Sequence, residues 1–347
     1  MYPKLKYLYS IPVSMACMLA SCNSDVPGTE DMGPGAELSF TTYEPTRASE
    51  TPAFDRFAVY GDIKYQTENA QAPIVLFDKT IVEYKNDIWS YEDTQYWVPD
   101  REHSFVAITP ESILNAGSNT RYLNSRLTYE YSIPATGGNL SSNSDIDDIM
   151  VATHRRFFKK IDVTTSPLDT KINLKFTHIL SQINFTPAFT DNHLGSDDYI
   201  LFHKLEFSGV STKALIDILP ATMQSNNQTD DMVLDITSQQ RGTITLPFTT
   251  PVKVENNAIN VNLFADNGSI LMLPLNFEAD SEAKITFYYT VNGEDLMKQV
   301  SIPLNNQKWE SGRSYTYKFI IDRTGLKWEN CEINPWNRVT GAEITVD

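Results

Sequence analysis

Glu37-Leu38-Ser39-Phe40-Thr41-Thr42-Tyr43 alternates apolar with polar side chains. Successive side chains of a strand point to opposite faces, so this period of two predicts a half-buried β-strand. Glu44-Pro45-Thr46-Arg47-Ala48-Ser49 breaks it. Beyond that break the same signal recurs to the end of the chain. Phe57-Ala58-Val59-Tyr60, Ile81-Val82-Glu83-Tyr84, Ile88-Trp89-Ser90-Tyr91, Phe105-Val106-Ala107-Ile108 and Leu127-Thr128-Tyr129-Glu130-Tyr131-Ser132-Ile133 form a first series, closed by Ile149-Met150-Val151-Ala152. A second series starts at Ile172-Asn173-Leu174-Lys175-Phe176 and runs through Ile183-Asn184-Phe185, Leu205-Glu206-Phe207, Val233-Leu234-Asp235-Ile236, Ile259-Asn260-Val261-Asn262-Leu263 and Ile285-Thr286-Phe287-Tyr288-Tyr289. Tyr315-Thr316-Tyr317-Lys318-Phe319-Ile320 and Ala342-Glu343-Ile344-Thr345-Val346 complete it. Asn86-Asp87 suits a tight turn. Helical periodicity is nearly absent; His178-Ile179-Leu180-Ser181 and residues 110–116 each suit a turn or two. Short strands at regular spacing with Pro, Gly and Asn between them predict an all-β chain, two antiparallel β-sandwiches in tandem rather than an α/β plan. The joint falls at Ser166-Pro167-Leu168-Asp169-Thr170, which is short, polar and proline-bearing, so the expected bodies are residues 37–165 and 166–347.

Upstream of the first strand, residues 23–36 are rich in Gly, Pro and acid, with Val26 and Met32 as the only large apolar side chains. Such a segment cannot bury enough to order itself, and residues 22–36 read as a flexible tether. Before it stand Lys4, Lys6 and an apolar run from Tyr7 to Ala20, too short for a permanent span and laid out as an export signal over residues 1–21. Leu19-Ala20-Ser21-Cys22 resembles a bacterial lipobox, in which the chain is cut before the cysteine and its thiol is acylated. Two or three acyl chains hold a protein on a membrane far more firmly than one. The alternatives are an ordinary cleaved signal with a chance cysteine, or a short anchor helix.

The chain has 347 residues and a net charge of −16, and removal of residues 1–21 takes away two lysines and no acid, leaving −18. That acidity argues against nucleic-acid partners and against docking on anionic headgroups through the protein itself. Of three cysteines, Cys17 leaves with the signal and Cys22 would carry lipid, so Cys331 stands alone. No internal disulfide can form, and stability has to come from packing, even in an oxidising compartment.

Four places resemble the fimbrillin family of Bacteroidetes surface lipoproteins, the major and minor fimbria subunits and their relatives. They are the lipobox followed by a strand and Thr46-Arg47-Ala48; Leu174-Lys175-Phe176-Thr177-His178-Ile179-Leu180-Ser181-Gln182-Ile183; Trp309-Glu310-Ser311-Gly312-Arg313-Ser314-Tyr315-Thr316-Tyr317; and Pro335-Trp336-Asn337. Each is short and degenerate, and the specificity lies in their order. The resemblance implies two transthyretin-like sandwiches, export as an outer-membrane lipoprotein, and assembly at the cell surface into fimbriae by strand exchange. In that scheme an arginine-specific protease removes the first strand, and a neighbouring subunit's C-terminal strand fills the groove. It also implies adhesion to a host or bacterial surface receptor.

The residues can be read for that scheme on their own. No Lys or Arg lies between Cys22 and Thr46, so Arg47-Ala48 is the first bond a basic-specific protease could cut in the mature chain. The cut would release the tether together with the Leu38–Phe40 strand and leave unpaired backbone edges that favour accepting a strand. The donor candidate is the tail, with Ala342, Ile344 and Val346 on one face. The alternative is that both segments are permanent edge strands and Arg47 an ordinary loop arginine. Only one clear strand follows Pro335-Trp336-Asn337, which suits a tip or accessory subunit as well as a stalk subunit.

No Gly-rich phosphate loop, His-Glu-x-x-His, Cys-x-x-Cys or Gly-x-Ser-x-Gly is present, so no catalytic residue, metal or cofactor is expected. His178 reads as a hydrogen-bonded structural histidine. Asp191, His193, Asp197 and Asp198 read as a solvated acidic turn, with Ca²⁺ the lesser reading. Trp89, Tyr91, Tyr96 and Trp97 are the candidates for stacking on a glycan, the alternative function being nutrient capture at the surface; core aromatics are the preferred reading. Arg155-Arg156-Phe157-Phe158-Lys159-Lys160 reads as a solvated turn.

Overall fold

A computed structural model describes residues 37–43, 54–64, 72–115, 119–159, 171–189, 198–223, 227–255, 261–264, 268–322 and 325–336. They belong to one compact unit, Ala36–Asp347. The strands begin with β1 (Ser39–Tyr43), β2 (Arg56–Lys64), β3 (Ile74–Lys85), β4 (Ile88–Ser90), β5 (Arg101–Thr109), β6 (Arg121–Leu123) and β7 (Arg126–Ser132). Next come β8 (Met150–Phe158), β9 (Lys171–Lys175), β10 (Thr177–His178), β11 (Ser181–Phe189), β12 (Tyr199–Pro220), β13 (Gln228–Thr229) and β14 (Met232–Glu255). The last are β15 (Ile270–Met272), β16 (Leu275–Asn276), β17 (Lys284–Val291), β18 (Lys298–Pro303), β19 (Lys308–Trp309), β20 (Arg313–Asp322) and β21 (Gly325–Pro335). Among the described residues the helical pieces are two 3-10 turns, Glu111–Leu114 and Asn143–Asp145. The protein is all-β, as its alternation requires.

A seven-stranded sheet runs β10-β8-β5-β2-β3-β4, with β13 beside β8. Its central strands β2 and β5 are buried on both faces, which explains their nearly continuous apolar runs. Asn86 and Asp87 join β3 to β4 with φ of 52° and 63°, the two left-handed residues that a two-residue hairpin of matching twist needs. One face of this sheet carries an aromatic core of Phe57, Phe77, Phe105, Phe158, Trp89 and Trp97, closed by the ladder of β1 and β9. The other face, with Ala58, Tyr60, Val106, Ile108 and Val151, belongs to a larger core. That core runs on through Leu127 and Tyr129 to Phe185, Phe207, Phe287 and Phe319.

The larger core is held by β18-β17-β12-β7-β6, with β14 along β12, and by β15-β11-β20-β21. Along one edge β12 pairs with β14 over nearly its whole length. On its other edge Ile200–Ser208 meets β17 and Lys213–Ile218 meets β7. This 22- and 24-residue pair replaces the short strands expected in that region. Register shifts at Phe202/Lys204, Ser208/Val210, Ser211/Lys213 and Lys213/Leu215 interrupt the period of two, and each bulge hides the continuity of the strand. Pro247 and Pro251 sit in β14, whose outer edge does not require their missing N–H groups.

Two further differences concern pairing. β1 with β9 and β11 with β20 are parallel ladders inside an otherwise antiparallel set. The joint expected at residues 166–170 lies outside the described residues. Lys171–Lys175, expected to open the second body, is hydrogen-bonded to β1 and places Ile172 and Leu174 in the aromatic core.

Candidate functional site

β1 carries Phe40, and Leu38 directly precedes it, the two residues the sequence offers as the displaced strand. Ser39 to Tyr43 pair in register with Lys171 to Lys175. On the other side, just before the strand, Leu38 N donates to Gln95 O at 2.9 Å, and Glu37 bridges Tyr96. Tyr91 donates its hydroxyl to Leu38 O at 2.6 Å and accepts from Gln95 N at 3.3 Å. Burial raises the pKa of that phenol, which keeps it a donor. Leu38 is 0% and Phe40 4% exposed. The Phe40 ring meets Phe57, Phe77, Tyr91 and Phe105 edge-on at 5.9, 5.7, 5.6 and 6.2 Å, the offset geometry favoured by aromatic quadrupoles. A cleft of about 730 Å³ opens alongside, lined by Phe77 and Tyr91 with Arg56, Lys79 and Glu83. Without β1, the place it occupies is a groove between the β9 edge and Gln95–Tyr96, lined by aromatic rings.

Sequence reasoning singled out Leu38 and Phe40 but not the walls of their site. Ile172 and Leu174 carried the alternation of a strand, yet nothing local says that they lie beside residue 40. The other candidates, Cys22, Arg47, Ala48, Ala342, Ile344 and Val346, lie outside the described residues, as do Asp191, His193 and Asp197. Asp198 accepts from Asn292 Nδ2 at 2.6 Å. Among the described residues no group of three His, Cys, Asp or Glu side chains could hold a metal ion.

Three of the four aromatic candidates for glycan stacking, Trp89, Tyr91 and Trp97, pack against core rings. Trp89 and Trp97 are buried, the latter stacked on Phe158 at 4.7 Å, and Tyr96 is left exposed. Residues 155–158 of the basic cluster form the end of strand β8 rather than a solvated turn, because they pair with Arg101–Ser104 of β5. Arg155 reaches Glu102 at 3.6 Å and Ser104 Oγ at 3.2 Å, while Arg156 lies over the Trp97 and Phe158 rings. Beside them His103 is fully buried; burial pushes its pKa down to about 3, so it stays neutral, accepting from Val98 N at Nε2.

Three of the four stretches that carry the family likeness meet in space. Gly312 N donates to Leu180 O, Trp336 N to Gly312 O, and Ser181 Oγ to Glu310 O. Trp309 Nε1 donates to the Tyr317 hydroxyl at 2.7 Å, which donates in turn to Gln307 Oε1 at 2.8 Å. His178 pairs with Asp148 at 2.8 Å, the hydrogen-bonded histidine its setting predicts. Short, degenerate motifs of this kind are one packed junction read in three places.

The fold defines an all-β protein built of several mainly antiparallel sheets. Residues 46–336 match the family described as fimbrillin-like, and the chain belongs to that family. Over 99% of its length it is 22% identical to the fimbrium subunit Fim1C of Phocaeicola vulgatus, all of which is covered. A crystal structure of a fimbrial protein from Bacteroides vulgatus superposes with a TM-score of 0.62 at 15% identity, covering 87% of this chain and 99% of that one. The tip fimbrial protein Mfa3 from Porphyromonas gingivalis, with C-terminal truncation, reaches a TM-score of 0.42 at 12% identity, covering 87% of this chain and all of that one.

Proposed function

We propose that this chain is a building subunit of a cell-surface fimbria, exported as an outer-membrane lipoprotein acylated on Cys22 and joined to its neighbours by strand exchange. Cleavage after Arg47 releases β1 with the tether. The opened groove then takes a neighbouring subunit's Ala342–Val346 segment, with Ala342, Ile344 and Val346 facing the rings that held Leu38 and Phe40. No reaction of the chain's own is part of this reading. Membership of the fimbrillin-like family supports the fimbrial role.

The observation that carries the mechanism is the seating of Phe40. A side chain touching four core rings leaves an unstable vacancy when it goes, and each large apolar side chain that refills the groove contributes about 1.5–3 kcal/mol. Exposed main-chain edges on both sides add a hydrogen-bond ladder to an incoming strand. The test treats the mature protein with an arginine-specific protease, then measures intact mass and oligomeric state. The expected product begins at Ala48 and associates in a concentration-dependent way. A product that starts at Ala48 yet stays monomeric with β1 still bound overturns the exchange; an Arg47-Ala48 bond that resists cutting overturns the trigger. Intact mass of the membrane-extracted protein checks the acyl chains on Cys22.

A further inference from the structure

Trp336 is the last described residue and it is buried, 8% exposed, although Ile333, two residues before Pro335, is 58% exposed. β21 runs antiparallel to β20 as far as Pro335 opposite Arg313. The next residue turns its indole onto the His178 imidazole, with centroids 3.9 Å apart and planes 15° apart. His178 is held from its edge by Asp148, Nδ1 to Oδ1 2.8 Å, and both side chains are largely shielded, 13% and 20% exposed. Trp336 N donates to Gly312 O at 2.9 Å, and Gly312 N donates to Leu180 O at 3.0 Å. Gly312 has φ of +65°, and a Cβ there would stand 3.3 Å from His178 O. The glycine is therefore required both by its backbone conformation and by the close approach of the His178 carbonyl.

An edge strand does not need a buried indole beyond its last ladder pair. The aromatic stack, the two consecutive backbone hydrogen bonds and the carboxylate behind the imidazole all act on one residue. That residue is the one from which residues 337–347 continue. We propose that Trp336, clasped by His178 and Gly312, is a positioning residue: it fixes the point from which residues 337–347 continue and so assists their capture by a neighbouring subunit's groove. This rests on the reading of the tail as donor strand. A segment that starts from a fixed point searches less volume, so the clasp acts by preorganisation rather than by contact with the neighbour.

The experiment uses the full mature chain as parent, Trp336→Ala, His178→Ala and the conservative Trp336→Phe. In the uncut monomer, hydrogen exchange at the Gly312 and Trp336 amides reads the clasp directly. After arginine-specific cleavage, the rate of assembly reads its consequence. Trp336→Ala and His178→Ala should lose protection at both amides and assemble about two- to tenfold more slowly. Trp336→Phe should restore most of each. Unchanged exchange in Trp336→Ala overturns the clasp. Lost protection with an equal or faster assembly rate overturns its positioning role. If the parent itself does not assemble after cleavage, the donor-strand reading fails while the exchange measurement still decides whether the clasp exists.

Discussion

His103 shows how one buried group writes a pH dependence into the molecule. Its ring is wedged against Trp97 at 4.8 Å, and its two nitrogens are used by Val98 N and Arg101 O. Burial holds the folded pKa near 3, whereas the unfolded imidazole titrates near 6.5. The folded value is the depressed one. Its contribution to stability is thus fully present above pH 6.5 and is lost as pH falls toward 3. Across that window one site changes stability by up to about 1.4 kcal/mol per pH unit. Urea unfolding between pH 6 and pH 4 should show this slope, and His103→Gln should unfold with a slope smaller by about one proton. Equal slopes in the two proteins would mean that His103 is protonated in the folded state. Nothing in the sequence around His103 marks it, because its burial depends on the loop residue Trp97 folding back over it and on Phe158 arriving from β8.

At the level of elements, local pattern was enough to place most strands and too little to join them. Leu127–Ser132 alternates cleanly and is a strand with Leu127, Tyr129 and Tyr131 inward, and Ile285–Tyr289 is a strand with Ile285, Phe287 and Tyr289 buried. The β12–β14 pair escaped because its residues look like punctuation: Gly209, Gly242, Pro247 and Pro251 interrupt the apolar pattern. Tertiary pairing overrides those signals through bulges. Gly209 is the clearest case, with φ of +71° and an added Cβ 3.0 Å from Ala283 Cα, a backbone neighbour that cannot swing aside. Gly242 lies on the partner strand without a positive φ, and its added Cβ would meet Thr212 Cγ2, a side-chain atom. Gly209→Ala should therefore cost about 1–3 kcal/mol. Gly242→Ala should cost clearly less, both read from urea midpoints. The reverse order would mean that β12 carries its bulge elsewhere. The groove shows the same limit: Phe40 was legible as a buried strand position, but a parallel partner more than a hundred residues away leaves no mark in either segment.

For the whole molecule the same pair has a mechanical consequence. β12 joins β17 through its first half and β7 through its second along one edge, so one continuous strand ties those two parts of a single sheet together beside the larger core. The seven-stranded sheet lies between that core and the aromatic one that holds β1. Cores on opposite faces of one sheet cannot be opened separately without breaking its ladders, so residues 37–336 should unfold as one cooperative unit. This can be tested far from β1. Phe287 is fully buried and packs on Phe185, Phe202 and Phe319, so Phe287→Ala should destabilise the protein by about 3–5 kcal/mol. Native-state hydrogen exchange then reads the amides of Val59 and Phe105, in the sheet beneath Phe40. If the cores open together, the slowest of these amides loses the same free energy as those of β17. If they keep the parent's protection, the two cores unfold separately, and excision of β1 would loosen the aromatic core alone. The cooperative outcome instead requires the groove to be refilled if the rest of the subunit is to keep its stability, and it predicts that a cleaved, unassembled subunit is weakened throughout, with faster exchange in β17 as well as around Phe105.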